Sequence, residues 1–170
     1  SRTIKGAANS FSRHNMLADW TLDFPAIQTT LLRSQIRYSG SWGIGKECSG
    51  SLDPGSIANW GTTFGSQEYW NGDNLQLPGG NGAKLLENNG YLAPSSTYKR
   101  VTQSNWKFSC FNRSDGQGEG FIGYAPNGLK YTFDKLRLIS TKPIIRDYKP
   151  TARFNAFMLA TKVEDRFGNF

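Results

Sequence analysis

The residues of this chain that could carry chemistry are few and lie far apart. His14 is the only histidine, so a histidine-based triad or a multi-histidine metal site has no second member. Cys48 and Cys110 form no C-x-x-C pair, and no metal site is therefore predicted. The two cysteines could form one disulfide in an oxidising compartment, or serve as small buried hydrophobic residues in the cytosol.

Two glycine-rich stretches have part of the spacing of phosphate-binding loops. Residues 40–46 read GSWGIGK, but Glu47 stands where a serine or threonine would hold Mg²⁺, and CSGSLDPGS cannot form the helix that should follow. The GQGEG run at 116–120 lacks the final spacing and the helix of a dinucleotide-binding fingerprint. It is predicted to be a hairpin loop, and no cofactor is expected.

The 13 carboxylate side chains are scattered and form no recognisable catalytic pair. A glycosidase needs two carboxylates facing each other across a sugar, and nothing distinguishes any such pair here. Glu164 and Asp165 would point to opposite faces of an extended strand, so a turn and its capping are the preferred role. Without a nucleophile–base pair or a metal cluster, no catalytic residue is assigned and the chain is expected not to be an enzyme.

Aromatic side chains between residues 60 and 77 are the best candidates for a ligand site. Flat sugar faces pack on tryptophan and tyrosine rings while polar neighbours bind the hydroxyl groups. The candidate residues are Trp60, Tyr69, Trp70, Asn71, Asp73 and Asn74. The preferred interpretation is that Trp60 and Trp70 are core residues of an irregular β domain. A sugar site would require at least two of the rings in solvent.

The composition limits the elements that could position these side chains. The chain has 170 residues, of which 14% are aromatic, 19% are charged and 19 are glycine. The length fits one domain with its own core. The composition argues against a helical bundle and a disordered chain, and no membrane span is predicted. We therefore predict a single all-β domain over 1–170, an irregular antiparallel β-sandwich or sheet with hairpins, long Gly/Asn-rich loops and little helix.

Alternating apolar and polar residues predict the individual strands. Leu129, Tyr131 and Phe133 alternate with polar residues just after Pro126-Asn127-Gly128, which predicts a β-hairpin over 120–138. The remaining predictions are a meander strand at 106–111, a C-terminal strand at 157–163, one or two strands within 27–38, and short helical turns near 12–19 and 83–88.

The net charge of +7 raises the question of nucleic-acid binding. Residues that bind phosphates usually cluster along one stripe or one helix. Here the lysines and arginines occur singly or in pairs and are interrupted by apolar residues. No specific nucleic-acid binding is predicted.

Two stretches are specific enough to suggest a family, VEDRFGN near the C-terminus and APNGLKYTFD in the predicted hairpin. Together with ADWTLDFPAI, EYWNGDNLQLPG and SNWKFSCF, they resemble the region that precedes the tyrosine–aspartate repeats of bacterial RHS-repeat proteins. The resemblance runs from about Trp20 to the end. The chain departs from the family in holding at most the first residues of one repeat. Asp53-Pro54-Gly55 is similar to part of the family's self-cleaving site but lies in a different region, and no catalytic residue is carried over.

The resemblance implies a structural role. RHS proteins coil their repeats into a β-rich shell that can enclose a toxic C-terminal domain. The leading hypothesis is a non-enzymatic structural or interaction module of a secreted or surface-located bacterial protein of this kind, with 157–170 leading into the first repeat. Its partners would be the adjacent repeats, and an exposed apolar edge around 157–163 would support this. The alternative is a lectin-like module that binds a glycan or surface receptor through the aromatic residues of 60–74.

Overall fold

The structure is a computed structural model that describes residues 24–37, 46–59, 61–90, 94 and 96–169. Within these residues there are eleven β-strands and two short helices. In chain order they are β1 (Ala26–Leu32), α1 (Arg33–Arg37), β2 (Ile57–Asn59), β3 (Thr62–Phe64), α2 (Ser66–Tyr69), β4 (Asn74–Gln76), β5 (Gly82–Lys84), β6 (Leu86–Glu87), β7 (Arg100–Val101), β8 (Lys107–Asn112), β9 (Glu119–Tyr124), β10 (Lys130–Arg146) and β11 (Lys149–Glu164).

The predicted all-β fold class is confirmed. Nine strands form one sheet in the order β5-β4-β1-β11-β10-β9-β8-β7-β6, and β2 pairs with β3 in a separate hairpin. Every described pairing is antiparallel. Of the two arrangements predicted, the structure has the single sheet rather than the sandwich.

The two ends of this sheet meet at Leu85. β5 pairs with β4 and β6 pairs with β7, yet only the fully buried Leu85 separates β5 from β6 in the chain. The sheet is therefore nearly closed, which leaves little strand edge exposed at its two ends. The predicted helical turn at 83–88 is wrong, because pairing on both sides of Leu85 overrides the local preference of these residues.

The hairpin predicted over 120–138 is confirmed as β9 and β10. At its turn the N–H of Ala125 donates to the Leu129 carbonyl at 2.8 Å, and Gly128 takes a φ of 86°. β8 pairs with β9 to complete the predicted three-stranded meander. Residues 116–118 lie in the loop between β8 and β9, while Glu119 and Gly120 already begin β9.

The core is aromatic and lies within the curve of the sheet. Phe108, Phe121 and Phe133 come from three adjacent strands and are fully buried with Met158 of β11. A second cluster of Leu32, Phe64 and Tyr69 packs with Ile57, Trp70 and Ile144. This second cluster joins the β2–β3 hairpin and α2 to β1 and β10.

β1 is shorter than the sequence indicated. The strand ends at Leu32, and α1 occupies the rest of the predicted strand region that the structure describes. The buried side chain of Gln35 turns back and accepts a hydrogen bond from the Leu32 N–H at 2.8 Å. This contact satisfies a backbone donor at the end of the strand, which explains why the extended conformation stops there.

β10 and β11 form by far the longest hairpin. Its turn residues Asp147 and Tyr148 have φ of 49° and 58°, the left-handed pair of a two-residue type I′ turn. β11 contains the strand predicted at 157–163, but it lies between β1 and β10 rather than at an edge. The expectation of an exposed edge is wrong for Phe157 and Leu159, because both pair with β1 and with β10.

Candidate functional site

The β10–β11 hairpin extends past its neighbours and forms an arm, which we define as residues 135–152. β9 pairs only with residues 130–133 of β10, and β1 pairs only with residues 153–159 of β11. No other described strand pairs with the arm. Over 135–141 the partner residues of β11 still pair with β1, and only over 144–151 does the sheet have just two strands. A two-stranded ribbon covers neither of its faces by itself. The arm is therefore the part of the described fold most open to a partner.

The arm presents both apolar and basic side chains to solvent. Leu138, Ile139, Ile145 and Tyr148 are four of the seven large hydrophobic residues exposed in the described part of the chain, and Tyr148 is 100% exposed. Five of the six charged residues of the arm are basic: Lys135, Arg137, Lys142, Arg146 and Lys149, against Asp147. Exposed apolar residues concentrated on one element are typical of an interaction surface.

The arm is held at its far end by contacts with β3 and α2. The Arg146 guanidinium donates to the Thr63 carbonyl at 2.7 Å, forms an ion pair with Glu68, and lies 5.1 Å from the centre of the Phe64 ring. Ile144 packs against the second hydrophobic cluster. These contacts fix the direction of the arm, so the exposed residues are presented on a positioned element rather than on a free ribbon.

A disulfide and a pair of carboxylates fasten the 46–50 turn to the sheet. Cys48 is bonded to Cys110 of β8, with 5.5 Å between their Cα atoms. Beside the bond, the Glu119 carboxylate accepts hydrogen bonds from the N–H groups of Cys48 and Ser49. Cys48 is itself part of the core cluster. The 46–50 turn therefore packs into the core, and we call it the plug.

Charged side chains are buried within the plug and beside it. Glu47 is 2% exposed and lies 4.0 Å from the Arg113 guanidinium, and desolvation by burial raises the pKa of Glu47 as the largest effect. Arg100 is also buried and donates to the Gly50 carbonyl, and desolvation lowers its pKa. Sequence analysis did not find this group, because its members are far apart in the chain and match no motif.

The residues predicted for a sugar site do not converge as exposed rings. Tyr69 is 1% exposed, its hydroxyl donates to the Gly55 carbonyl at 2.9 Å, and burial raises its pKa to about 12. Trp70 is half-buried, and its indole N–H donates to Thr29. Asp73 is buried, Asn71 is exposed and Asn74 is half-buried. Trp60 lies outside the described residues.

Asn74 does line a shallow cleft. The cleft has a volume of about 410 Å³ and lies along the β4–β5 hairpin, with Gln76, Asn81 and Lys84 as its other polar side chains. Gly80 and Gly82 contribute no side chains to its lining. Its polar lining consists of amide side chains and one lysine, and neither Tyr69 nor Trp70 lines it.

Other functional classes find little support among the described residues. No group of three His, Cys, Asp or Glu side chains in that part of the chain is placed to hold a metal ion. None of the described helices is long and apolar enough to cross a membrane. Asp165 accepts hydrogen bonds from the N–H groups of Phe167 and Asn169, so it caps a turn as predicted. His14 and most of the 40–46 stretch lie outside the described residues.

Comparison of the chain with protein-family models, with curated proteins and with solved structures finds no match to any of the three.

Proposed function

We propose that this chain is a non-enzymatic structural and interaction module of a bacterial RHS-repeat, toxin-associated protein, located just before the repeats. The observation that carries the proposal is the arm, the part of the β10–β11 hairpin that extends past β9 and exposes Leu138, Ile139, Ile145 and Tyr148. A partner that covers these side chains would remove apolar surface from water, and this burial would stabilise the complex. The adjacent repeats are the partner that the sequence resemblance favours.

A secreted or surface location follows from the same proposal. The Cys48–Cys110 disulfide joins the plug to β8 inside the core. Disulfides persist in oxidising environments such as the periplasm and the cell exterior, and are rare in the cytosol. The bond therefore supports an extracytoplasmic location for the domain.

The carboxylates of Glu47 and Glu119 support a structural rather than a catalytic role. Glu47 and Glu119 accept hydrogen bonds from backbone N–H groups, and these contacts hold the plug in place. A general acid or base needs a proton-transfer partner at a substrate site. Both carboxylates instead accept hydrogen bonds from backbone N–H groups that stabilise the fold.

A second candidate function is carbohydrate binding. The β4–β5 cleft favours it, because Asn74, Gln76 and Asn81 offer amide donors and acceptors of the kind that bind sugar hydroxyls. A glycan-array screen of the purified chain tests this candidate. Saturable binding that persists at high salt and is lost in Asn74→Ala supports it, whereas binding that fades with salt reflects only the net charge of +7.

The leading proposal is tested by hydrogen–deuterium exchange on the isolated chain and on the longer protein encoded by the same gene. Backbone amides of the arm should exchange at least about tenfold more slowly in the longer protein, because a docked partner protects them. The core strand β8 is an internal reference, since it is already protected in the isolated chain. Equal exchange of the arm in both proteins would overturn the proposal.

A further inference from the structure

Along one edge of the arm, β10 has no pairing partner among the described strands. Past Phe133, β10 pairs with β11 on one side, and no described strand pairs with it on the other. The regular part of this edge is 135–141, which we call the docking edge. It ends at the irregularity between Thr141 and Ile144, where Pro143 lacks an N–H. The docking edge is long enough to pair with one ordinary strand.

The two faces of the docking edge differ in chemistry. Lys135, Arg137 and Ile139 lie on one face, opposite Leu159, Phe157 and Asn155 of β11. Leu136 and Leu138 lie on the other face, opposite the buried core residues Met158 and Ala156. The first face is basic, and the second continues the hydrophobic core outward. A strand added to this edge would place its alternate side chains beside each of these sets.

We propose that the docking edge binds an extended segment of the adjacent repeats in which acidic and apolar residues alternate, by addition of that segment as a further strand beside β10. Its carboxylates would pair with Lys135 and Arg137. Its apolar side chains would cover Leu138, which is 41% exposed, and would extend the core cluster that Leu136 already contacts. Main-chain hydrogen bonds supply affinity in this mode of recognition, and the alternate side chains supply specificity.

A second copy of the same chain does not fit this edge. Pairing two docking edges would bring Lys135 and Arg137 of both copies onto one ribbon, and like charges across a strand pair are destabilising. Basic residues on an exposed edge are a common protection against self-association. The charge that opposes self-pairing is the same charge that selects an acidic strand. This inference rests on the proposed function, because it specifies how the arm is covered.

The test uses a fluorescent peptide of alternating Glu and Val, about seven residues long, and fluorescence anisotropy with the intact chain. The alternating peptide should bind saturably, and a peptide of the same composition with its Glu and Val in separate blocks should bind at least about tenfold more weakly. Two further versions carry N-methyl groups on all Val amides or on all Glu amides. One of them must lose binding, since N-methylation removes the donors that face β10. Retained binding of both versions would overturn strand addition.

Charge-reversal variants locate the site. Lys135→Glu/Arg137→Glu should weaken peptide binding at least about tenfold. Lys99→Glu/Arg166→Glu changes the net charge by the same amount at exposed positions outside the arm, and it should change the affinity for the peptide less than about twofold. Circular dichroism and thermal melting verify that both variants fold. Equal effects of the two variants would overturn the inference. If the arm is protected in the longer protein but the alternating peptide does not bind, the proposed function stands and this inference fails.

Discussion

The carboxylates of Glu47 and Glu119, which are 72 residues apart in the sequence, each bind backbone N–H groups of the segment that carries the other. The Glu119 N–H donates to the Glu47 carboxylate at 2.7 Å, while the Glu119 carboxylate accepts from the N–H of Cys48 at 3.0 Å and of Ser49 at 2.7 Å. The Ser49 hydroxyl adds a further bond at 2.6 Å. The exchange is reciprocal, so the plug and the first residue of β9 depend on each other.

The raised pKa of Glu47 predicts a dependence of stability on pH. Because burial raises this pKa above its ordinary value of 4.5, the folded chain keeps the Glu47 proton to a higher pH than the unfolded chain does. Folding stability from this group is therefore lost as pH rises from about 4.5 through the raised pKa. Glu47→Gln removes the titration and keeps an acceptor for the Glu119 N–H. The difference in melting temperature, variant minus parent, should therefore be more positive at pH 7 than at pH 4.

Thermal unfolding followed by circular dichroism at the two pH values measures this difference. Glu87→Gln is the matched control, because the exposed Glu87 carboxylate also accepts a backbone N–H, that of Leu52. The same change of melting temperature with pH in both variants would contradict a specific role for the burial of Glu47.

Gly118 lies so close to Glu47 that we expect this position to accept only glycine. Gly118 has a φ of 118°, and a Cβ atom there would overlap the Glu47 carboxylate. Gly118→Ala should lower the free energy of unfolding by more than about 2 kcal/mol, because backbone strain and a clash with a buried carboxylate add together. Urea denaturation measures the change.

Gly116→Ala is the control for Gly118→Ala. Gly116 also has a positive φ, of 68°, but a Cβ atom there has no neighbour within 4 Å. Its substitution should cost only the backbone strain, about 1 kcal/mol. A loss in Gly116→Ala as large as in Gly118→Ala would show that contact with Glu47 is not the cause.

The disulfide predicts a large loss of stability on reduction. Cys48 and Cys110 are separated by 62 residues, and in the loop-entropy description a loop of this length corresponds to about 4 kcal/mol. Cys48→Ala/Cys110→Ala should show a loss of this order in urea denaturation. The parent with dithiothreitol should match the double variant, and dithiothreitol should leave the variant unchanged. A reduced parent as stable as the oxidised one would contradict the structural role of the bond.

The sequence predicts those elements in which a turn signal stands between clearly alternating residues. The β9–β10 hairpin is predicted correctly because Pro126-Asn127-Gly128 supplies the turn and alternation supplies the flanking strands. The prediction of a helical turn at 83–88 is wrong although β4 is a near neighbour in the chain, because this segment has no clear alternation and its second partner, β7, is more distant. The strand predicted at 157–163 lies inside the sheet rather than at an edge, because β1 pairs with it from the other end of the chain.

The candidate interaction surface is harder to predict from the sequence than the strands are. Trp70 and Tyr69 were singled out because aromatic residues bind sugars, yet the same property makes them pack into a core. The arm carries no motif. Its exposure arises because β9 and β1 stop pairing before the hairpin turns, and strand lengths that end at different points are a tertiary property. Only the basic composition of 135–149 was visible in the sequence.

Trp70 separates the two candidate functions. Its indole N–H donates to the Thr29 hydroxyl at 3.0 Å and to the Asp73 carboxylate at 3.2 Å, and its ring packs against the second hydrophobic cluster. Trp70→Ala should therefore lower the free energy of unfolding by about 3 kcal/mol in urea denaturation, as expected for truncating a large packed side chain. Asn71→Ala, at the exposed neighbour, should change it by less than about 0.5 kcal/mol. If Trp70→Ala instead leaves stability unchanged and abolishes binding on the glycan array, the ring is a ligand contact. The carbohydrate-binding function then replaces the structural one, with its site at the aromatic residues of 60–74 rather than in the β4–β5 cleft.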